Sequence, residues 1–157
     1  MATDTYVPES AATEATSQTA GIGDTITLAT QEDYVNSQPA TQLEVTLLKV
    51  TYKVPLGEFD SPAENGRYFA VMLRITNVGE GVYSDSPSNG AAVVNRAGNQ
   101  FDASMMMEKA PSLPSGMKLR PGASRTGWLT FDVAGKVTTF QFTPDSGFGP
   151  ETGEWQF

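Results

Sequence analysis

The segment that decides the fold is Leu119-Arg-Pro-Gly-Ala-Ser-Arg-Thr-Gly-Trp-Leu-Thr-Phe-Asp-Val133. Pro121 and Gly122 suit the two central positions of a type II turn, because proline presets φ and glycine tolerates a positive φ. Apolar and polar residues alternate after the turn, which is typical of a strand with one buried face. The apolar parity holds Leu129, Phe131 and Val133, and the opposite parity holds Trp128, Thr130 and Asp132.

The same alternation recurs along most of the chain. Arg67–Asn77 is its clearest instance, with four apolar side chains predicted to point inward: Phe69, Val71, Leu73 and Ile75. The apolar parity switches at Leu47–Leu48, which predicts a β-bulge or a change of sheet face. Asn95–Asn99 reads as a hairpin turn. Gly127–Val133 and Val137–Thr143 are predicted to pair with each other across Ala134–Lys136.

These patterns predict an all-β chain of seven to eight short strands with no substantial helix. An immunoglobulin-like antiparallel β-sandwich is the expected architecture, and a closed barrel is the alternative. The length of 157 residues fits one domain. Residues 1–20, rich in alanine, threonine and serine, are predicted to be a flexible spacer, and residues 21–157 the sandwich domain.

The composition excludes several classes of function. The chain has no Cys and no His, which rules out zinc-thiolate sites, cysteine nucleophiles and serine-histidine-aspartate triads. The net charge is −8 and the ten basic residues are scattered, so we expect no nucleic-acid partner. No apolar run is long enough to span a membrane. We therefore predict a chain that is neither an enzyme nor membrane-spanning, with no cofactor.

Carboxylates are the main remaining source of chemistry, and they are interpreted as a solvated surface. Glycoside hydrolysis would need two carboxylates across a cleft, one of them desolvated. Calcium binding would need several converging oxygens, for which the loop residues Asp60, Glu64 and Asn65 are the nearest candidates. Asp85 and Asn89 are expected to bind turn backbone instead. No catalytic or metal site is predicted.

Aromatic and methionine side chains are the best candidates for partner contact. Trp128 and Tyr68 fall on the polar parity of their strands, where flat rings could stack on sugars or anchor a protein. The consecutive Met105, Met106 and Met107 could form an adaptable contact surface. The alternative is that a neighbouring loop, such as the methionine segment itself, packs over both aromatic rings.

Several motifs together resemble a known family: Gly66-Arg-Tyr-Phe-Ala-Val-Met-Leu-Arg-Ile-Thr-Asn-Val-Gly79, Tyr83-Ser-Asp-Ser-Pro-Ser-Asn89, Leu119-Arg-Pro-Gly122, Gly127-Trp-Leu-Thr-Phe131 and Phe140-Gln-Phe-Thr-Pro144. The chain resembles the immunoglobulin-like domains of bacterial secreted proteins and lipoproteins called domain of unknown function 4352. The mycobacterial immunoprotective extracellular antigen is a related sandwich. The resemblance covers roughly residues 21–157 and brings no catalytic residues with it.

The resemblance implies a location outside the bacterial cell, either secreted or attached to the cell surface. Such proteins often carry a lipidated cysteine ahead of a spacer similar to residues 1–20. This sequence contains neither an export signal nor that cysteine, so a lipid anchor is expected only upstream of Met1. The predicted function is a non-catalytic domain that mediates protein–protein interaction at the bacterial envelope. A carbohydrate-binding module that uses exposed aromatics is the alternative.

Overall fold

The computed structural model describes residues 17–35, 37–103 and 107–157. Most of the predicted spacer, together with Met105 and Met106, lies outside these residues. Ser17–Ala20, assigned to the spacer on composition, form strand β1 and pair with the last strand of the chain. Strand pairing therefore includes four residues that the sequence pattern had placed in the spacer, because backbone hydrogen bonds there do not depend on apolar side chains.

Eleven strands form two packed sheets and a short ribbon within the described residues. The first sheet has the order β1 (Ser17–Ala20), β11 (Thr152–Gln156), β10 (Val137–Phe142), β6 (Ala91–Asn95) and β7 (Gln100–Asp102). The second has the order β2 (Thr25–Ala29), β3 (Gln42–Thr51), β4 (Arg67–Asn77) and β9 (Ser124–Val133). The ribbon pairs β5 (Tyr83–Asp85) with β8 (Met117–Leu119). All named pairs are antiparallel except β1–β11.

The predicted all-β sandwich is confirmed, with more strands than expected. The sequence predicted seven to eight, because the strands β1 and β8, of four and three residues, are too short to show alternation. The one regular turn of helix in the described residues is a 3-10 turn at Pro87–Gly90.

The core lies between the inner faces of the two sheets. Phe131 of the second sheet meets Phe140 of the first with ring centroids 6.2 Å apart, and Phe140 contacts Trp155 at 5.5 Å. The indole of Trp155 is fully buried, and its Nε1–H donates to the Asp24 carbonyl at 3.0 Å. The four residues predicted to point inward from β4 are all 0% exposed. Aromatic contacts between sheets thus take the place of the inter-sheet disulfide of many immunoglobulin domains.

The parity switch in β3 is a β-bulge. The register of β3 against β4 shifts between Leu47 and Lys49, so that Leu47 faces Leu73 while Lys49 faces Met72. The extra residue moves the following side chains to the opposite parity. Val50 and Tyr52 consequently turn back towards the core, where Tyr52 contacts Phe69 at 4.8 Å between ring centroids.

The predicted Pro-Gly turn is also confirmed, and Asn77 holds it in place. Gly122 has φ of 87°, and the Ala123 N–H donates to the Arg120 carbonyl at 2.9 Å. The Gly122 N–H donates to the Asn77 carbonyl at 2.7 Å. The Asn77 side chain, 0% exposed, donates in turn to the carbonyls of Gly81 and Leu119. The turn thus leads from the ribbon into the second sheet rather than closing a hairpin.

The expected pairing of the segments on either side of Ala134–Lys136 is wrong. β9 pairs with β4, and β10 pairs with β6 and β11, so the two strands lie in different sheets. Alternation specifies which face of a strand is buried, but it does not specify the strand's partner. A short connection between two buried strands can equally well cross from one sheet to the other.

We expect Gly122→Ala to lower the free energy of unfolding by about 1–2 kcal/mol, because an L-residue is strained in the left-handed region. No atom lies within 4 Å of the added Cβ, so the cost is conformational rather than steric. Gly21→Ala is the matched control, since its Cβ would meet only ordinary contacts at 3.6 and 3.7 Å. Urea denaturation of both variants measures the difference. Equal stabilities would contradict the turn assignment.

Candidate functional site

Tyr68 and Trp128, the two aromatic residues predicted for partner contact, lie under a loop. Tyr68 is 6% exposed, and its hydroxyl donates to the Ser61 carbonyl at 2.7 Å. Trp128 is half-buried, with the Lys49 ammonium 5.6 Å from its ring centroid. Both aromatic side chains belong to a small apolar cluster with Met107 and Ala110.

The loop that follows β7 provides this cover. Its residues 111–113 run alongside β9, where the Trp128 N–H donates to the Pro111 carbonyl at 3.0 Å and the Leu113 N–H donates to the Trp128 carbonyl at 3.1 Å. The aromatic face is thus packed against Met107, which is the covered arrangement that the sequence analysis gave as the alternative to an open contact surface. A role of Trp128 or Met107 in partner contact stays a prediction.

A larger groove lies where three loops meet, and we call it the loop-end groove. Its volume is about 630 Å³. Its walls are residues 30–35, 38 and 39 of the β2–β3 loop, residues 82–86 around β5, and Asp145 and Ser146 of the β10–β11 turn, with Gly116. The sequence did not predict this groove, because its walls come from parts of the chain far apart in sequence.

The carboxylate of Asp85 holds these walls together. Asp85 is 7% exposed and accepts five hydrogen bonds, from the Tyr83 hydroxyl, the backbone N–H groups of Ser86, Asp145 and Ser146, and the Ser146 hydroxyl. A buried charge is tolerated only where such donors replace water. Asp85 binds turn backbone, as expected from the sequence, through the Ser86 N–H. It also binds the backbone of a second turn, sixty residues away, through the Asp145 N–H.

The β10–β11 turn adopts a conformation that suits this carboxylate. Asp145, Ser146 and Gly147 all have positive φ, at 60°, 55° and 93°. The N–H groups of Asp145 and Ser146 point to the same anion at 2.9 Å each, an arrangement found where backbone amides form anion-binding concavities. Left-handed residues other than glycine are strained. The bonds to Asp85 offset that strain and fix the position of the turn.

A second tie joins the turn to the β2–β3 loop. The Asp145 carboxylate accepts the Gln31 N–H at 2.8 Å, and the Glu151 carboxylate accepts the Ala29 N–H at 2.7 Å. Farther out, Asp33 and Gln38 exchange two backbone hydrogen bonds of 2.9 Å each, and these bonds close the base of the hairpin tip that carries Tyr34 and Val35. The groove wall is therefore attached at its base.

Apolar side chains are exposed at the hairpin tip. Tyr34 is 81% exposed and Val35 is 91% exposed, and both line the groove. Phe148, 79% exposed, lies on the turn that carries Asp145. Sequence reasoning missed these residues because isolated apolar residues in a polar loop have no periodicity. Their signal was the presence of large apolar residues in segments that form no predicted strand.

The groove has a strongly negative electrostatic character. Its lining includes the carboxylates of Glu32, Asp33, Asp85 and Asp145 and contains no lysine or arginine. Burial raises the pKa of Asp145, and repulsion from Asp85 and Asp33 raises it further, against the lowering effect of the Gln31 N–H. Burial and the Asp85 charge also raise the pKa of Tyr83, so its hydroxyl stays protonated and donates to Asp85.

This arrangement suits binding rather than acid–base chemistry. Both oxygens of Asp85 accept hydrogen bonds from the chain itself, so the carboxylate is already engaged. No three Asp or Glu side chains among the described residues stand close enough together to hold a metal ion. Asp60, a calcium candidate from the sequence, accepts the backbone N–H groups of Gly57 and Glu108 instead.

A second groove of about 540 Å³ lies beside Tyr68. The carboxylate of Asp132 on its wall accepts the N–H groups of Glu64 and Asn65 at 2.7 and 2.9 Å. Burial, with the nearby charge of Asp132, raises the pKa of Tyr68. The Asp132 carboxylate thus holds the loop that precedes β4. Because this carboxylate is already engaged, the loop-end groove is the main candidate site.

Comparison with known families supports the resemblance noted in the sequence. A family described as domain of unknown function (DUF4352) matches residues 36–151. The chain belongs to this family. The match covers the groove walls from Gln38 onward, and the family description names no activity. No protein of curated function matches the sequence.

Solved structures show the same fold. MPT63, a secreted protein of Mycobacterium tuberculosis, is 17% identical, with a TM-score of 0.61 over 88% of this chain and 96% of that chain. The yjhA protein of Bacillus subtilis is 16% identical, with a TM-score of 0.60 over 88% and 98%. A candidate lipoprotein of Bacillus subtilis, ycdA, is 18% identical with a TM-score of 0.55, and the match spans 73% of this chain and 36% of that one.

The DUF4352 chain has no long apolar helix in the part that the structure describes. None of its helical segments there meets the length and hydropathy needed to cross a membrane.

We expect Asp85→Ala to destabilise the domain by at least about 2 kcal/mol, because buried donors lose their charged acceptor. Ser84→Ala, at the exposed position next to Asp85, is the control and should change little. Chemical denaturation followed by tryptophan fluorescence measures both. A variant as stable as the wild type would show that Asp85 does not hold the groove walls.

We expect Asp145→Asn to gain stability relative to the wild type as the pH rises. The folded-state pKa of Asp145 lies above its ordinary value of 3.8, so the folded state holds that proton more tightly than the unfolded state. Its contribution to stability is present below pH 3.8 and is lost as the pH rises through the folded pKa. The asparagine side chain does not titrate in this pH range, so the variant does not lose that contribution.

Free energies of unfolding for wild type and Asp145→Asn, measured at several pH values between about 3 and 7, test this sign. Asp102→Asn, on the exposed edge strand β7, provides the baseline for removing one carboxylate from the surface. A stability of Asp145→Asn that falls relative to the wild type as the pH rises would contradict the raised pKa that burial and the nearby carboxylates give Asp145.

Proposed function

We propose that this DUF4352 domain is a non-catalytic interaction domain, located outside the bacterial cell or on its surface, that binds a protein partner through the loop-end groove. The observation that carries the proposal is the pair of almost fully exposed apolar side chains, Tyr34 and Val35, on the wall of a groove with fixed walls. Tyrosine at the centre of a desolvated contact is enriched among residues that dominate binding energy.

The proposed location is supported by the structural relatives. One of them is a secreted protein and another is a candidate lipoprotein, and both share this fold. In such a protein residues 1–16 would act as the spacer between the domain and its attachment point.

The proposed lack of catalysis is supported by the chemistry of the groove. Without Cys or His in the chain, acid–base catalysis would fall mainly to its carboxylates. The most buried of these in the groove, Asp85, is saturated with hydrogen bonds from the chain. The buried carboxylate in this groove positions the loops around it.

A glycan partner is the second candidate. The Tyr34 ring is 81% exposed beside a polar groove, and a flat ring in that setting can stack on a sugar. Trp128 and Tyr68, the rings for which the sequence suggested this role, are less accessible under their loop. Glycan-array binding that disappears in Tyr34→Ala would favour this candidate over a protein partner.

The test uses the immobilised domain as bait in culture medium and envelope extract of the source bacterium. We expect saturable capture of a protein by the wild type and at least about fivefold weaker capture by a Tyr34→Ser, Val35→Ser double variant, because the apolar contact is lost. Phe59→Ser is the matched control, since Phe59 is 83% exposed but lies on another loop.

Equal loss of capture in the control and the groove variant would show that binding depends on exposed apolar surface in general. No saturable capture by the wild-type domain would overturn the proposal of a protein partner. Trp128→Ala in the same experiment reports on the predicted contact at the covered aromatic face, and its unfolding midpoint shows whether the loop has remained in place.

A further inference from the structure

We propose that the protein partner presents a basic segment, with lysine or arginine side chains entering the loop-end groove and apolar neighbours packing on Tyr34 and Val35. This inference rests on the proposed function, which names a protein partner but not its chemistry. The docking surface consists of the exposed apolar tip and the groove beside it. The negative charge of that groove favours a positively charged partner segment.

The first argument is charge complementarity across the groove. Glu32 and Asp33 are exposed at the tip, Asp145 is half-buried on the opposite wall, and Asp85 lies at the base. None of the ten basic residues of the chain lines this space. An acidic segment entering here would meet repulsion from each wall, whereas a basic one would be attracted and steered.

The second argument is the aromatic ring at the tip. Tyr34 directly follows Glu32 and Asp33 in the chain, so a guanidinium or ammonium near the carboxylates is also within reach of an exposed ring. Cations bind to the faces of aromatic rings, and arginine does so most often. The chain itself uses this contact elsewhere, where the Arg67 guanidinium lies 3.8 Å from the Tyr52 ring centroid.

The third argument is that the apolar residues need a partner with apolar groups. Val35 is 91% exposed and offers no polar atom beyond its backbone, so a small cation alone would leave it in water. A polypeptide can supply charged and apolar side chains at adjacent positions. A groove of about 630 Å³ accommodates several such side chains, which favours a peptide segment over a free amine.

Repulsion among the carboxylates adds to the same preference. The pKa of Asp145 is raised in part by the charges of Asp85 and Asp33, which means that these carboxylates repel one another across the groove. A cation between the walls relieves them. Binding is therefore expected to weaken with salt and to weaken when the pH falls far enough to protonate Asp145.

The experiment measures fluorescence anisotropy of three labelled peptides with the intact domain. The basic apolar peptide is GSRLKFRGS, the acidic counterpart is GSELEFEGS, and the basic peptide without apolar residues is GSRSKSRGS. We expect the first to bind at least about tenfold more tightly than either of the others, because only it offers both chemistries. Raising the salt from about 50 to about 300 mM should weaken it severalfold.

Matched charge variants locate the site. Glu32→Gln with Asp33→Asn removes two charges at the groove, and Glu44→Gln with Glu58→Gln removes two exposed charges elsewhere. The groove pair should weaken binding of GSRLKFRGS at least about fivefold, whereas the remote pair should leave it within about twofold. Unfolding midpoints equal to the wild type confirm that each variant is folded.

The outcomes separate this inference from the proposed function. Equal weakening by both charge pairs would mean that the peptide follows the net charge of the protein, and the inference would be overturned. It would equally be overturned if GSELEFEGS bound as well as GSRLKFRGS. Should the native partner be lost with Tyr34→Ser, Val35→Ser yet be insensitive to Glu32→Gln, Asp33→Asn, the interaction domain would stand and the basic partner would not.

Discussion

The groove of this DUF4352 domain depends on one buried negative charge. Asp85 sits at the end of the three-residue strand β5, and its carboxylate is stable there only because five donors replace water. Two of those donors are the backbone amides of a turn in the left-handed conformation. The need of the buried Asp85 carboxylate for hydrogen-bond donors therefore fixes the β10–β11 turn beside β5. The β2–β3 loop is held at the same site because the Gln31 N–H donates to Asp145 on that turn.

Much of the framework could be predicted from the sequence because it is set by local patterns. The alternation of β4 and β9, the parity switch at Leu47–Leu48 and the Pro-Gly turn each report a local preference, and the structure confirms all three. The pairing of β9 with β10 was wrong because partner choice is a long-range property. The short strands β1 and β8 have too few residues to show any period.

The candidate site could not be predicted for a related reason. Asp85 and Asp145 are separated by sixty residues, and nothing in either segment identifies the other as its partner. Tyr68 and Trp128 were correctly placed on the outward parity, but the loop that packs over them is fixed by contacts that their own strands do not encode. Tyr34 and Val35 lie on a loop tip held by a backbone bridge, and such bridges have no apolar signature.

The parallel pairing of β1 with β11 sets the end of the sandwich at which the chain enters the fold. Ser17 pairs with Thr152, at the start of β11, which directly follows the turn that carries Asp145 and Ser146. The chain therefore enters the sandwich at the same end as the groove. A domain attached to a surface through its N-terminus would therefore have its point of attachment and its groove at the same end of the sandwich.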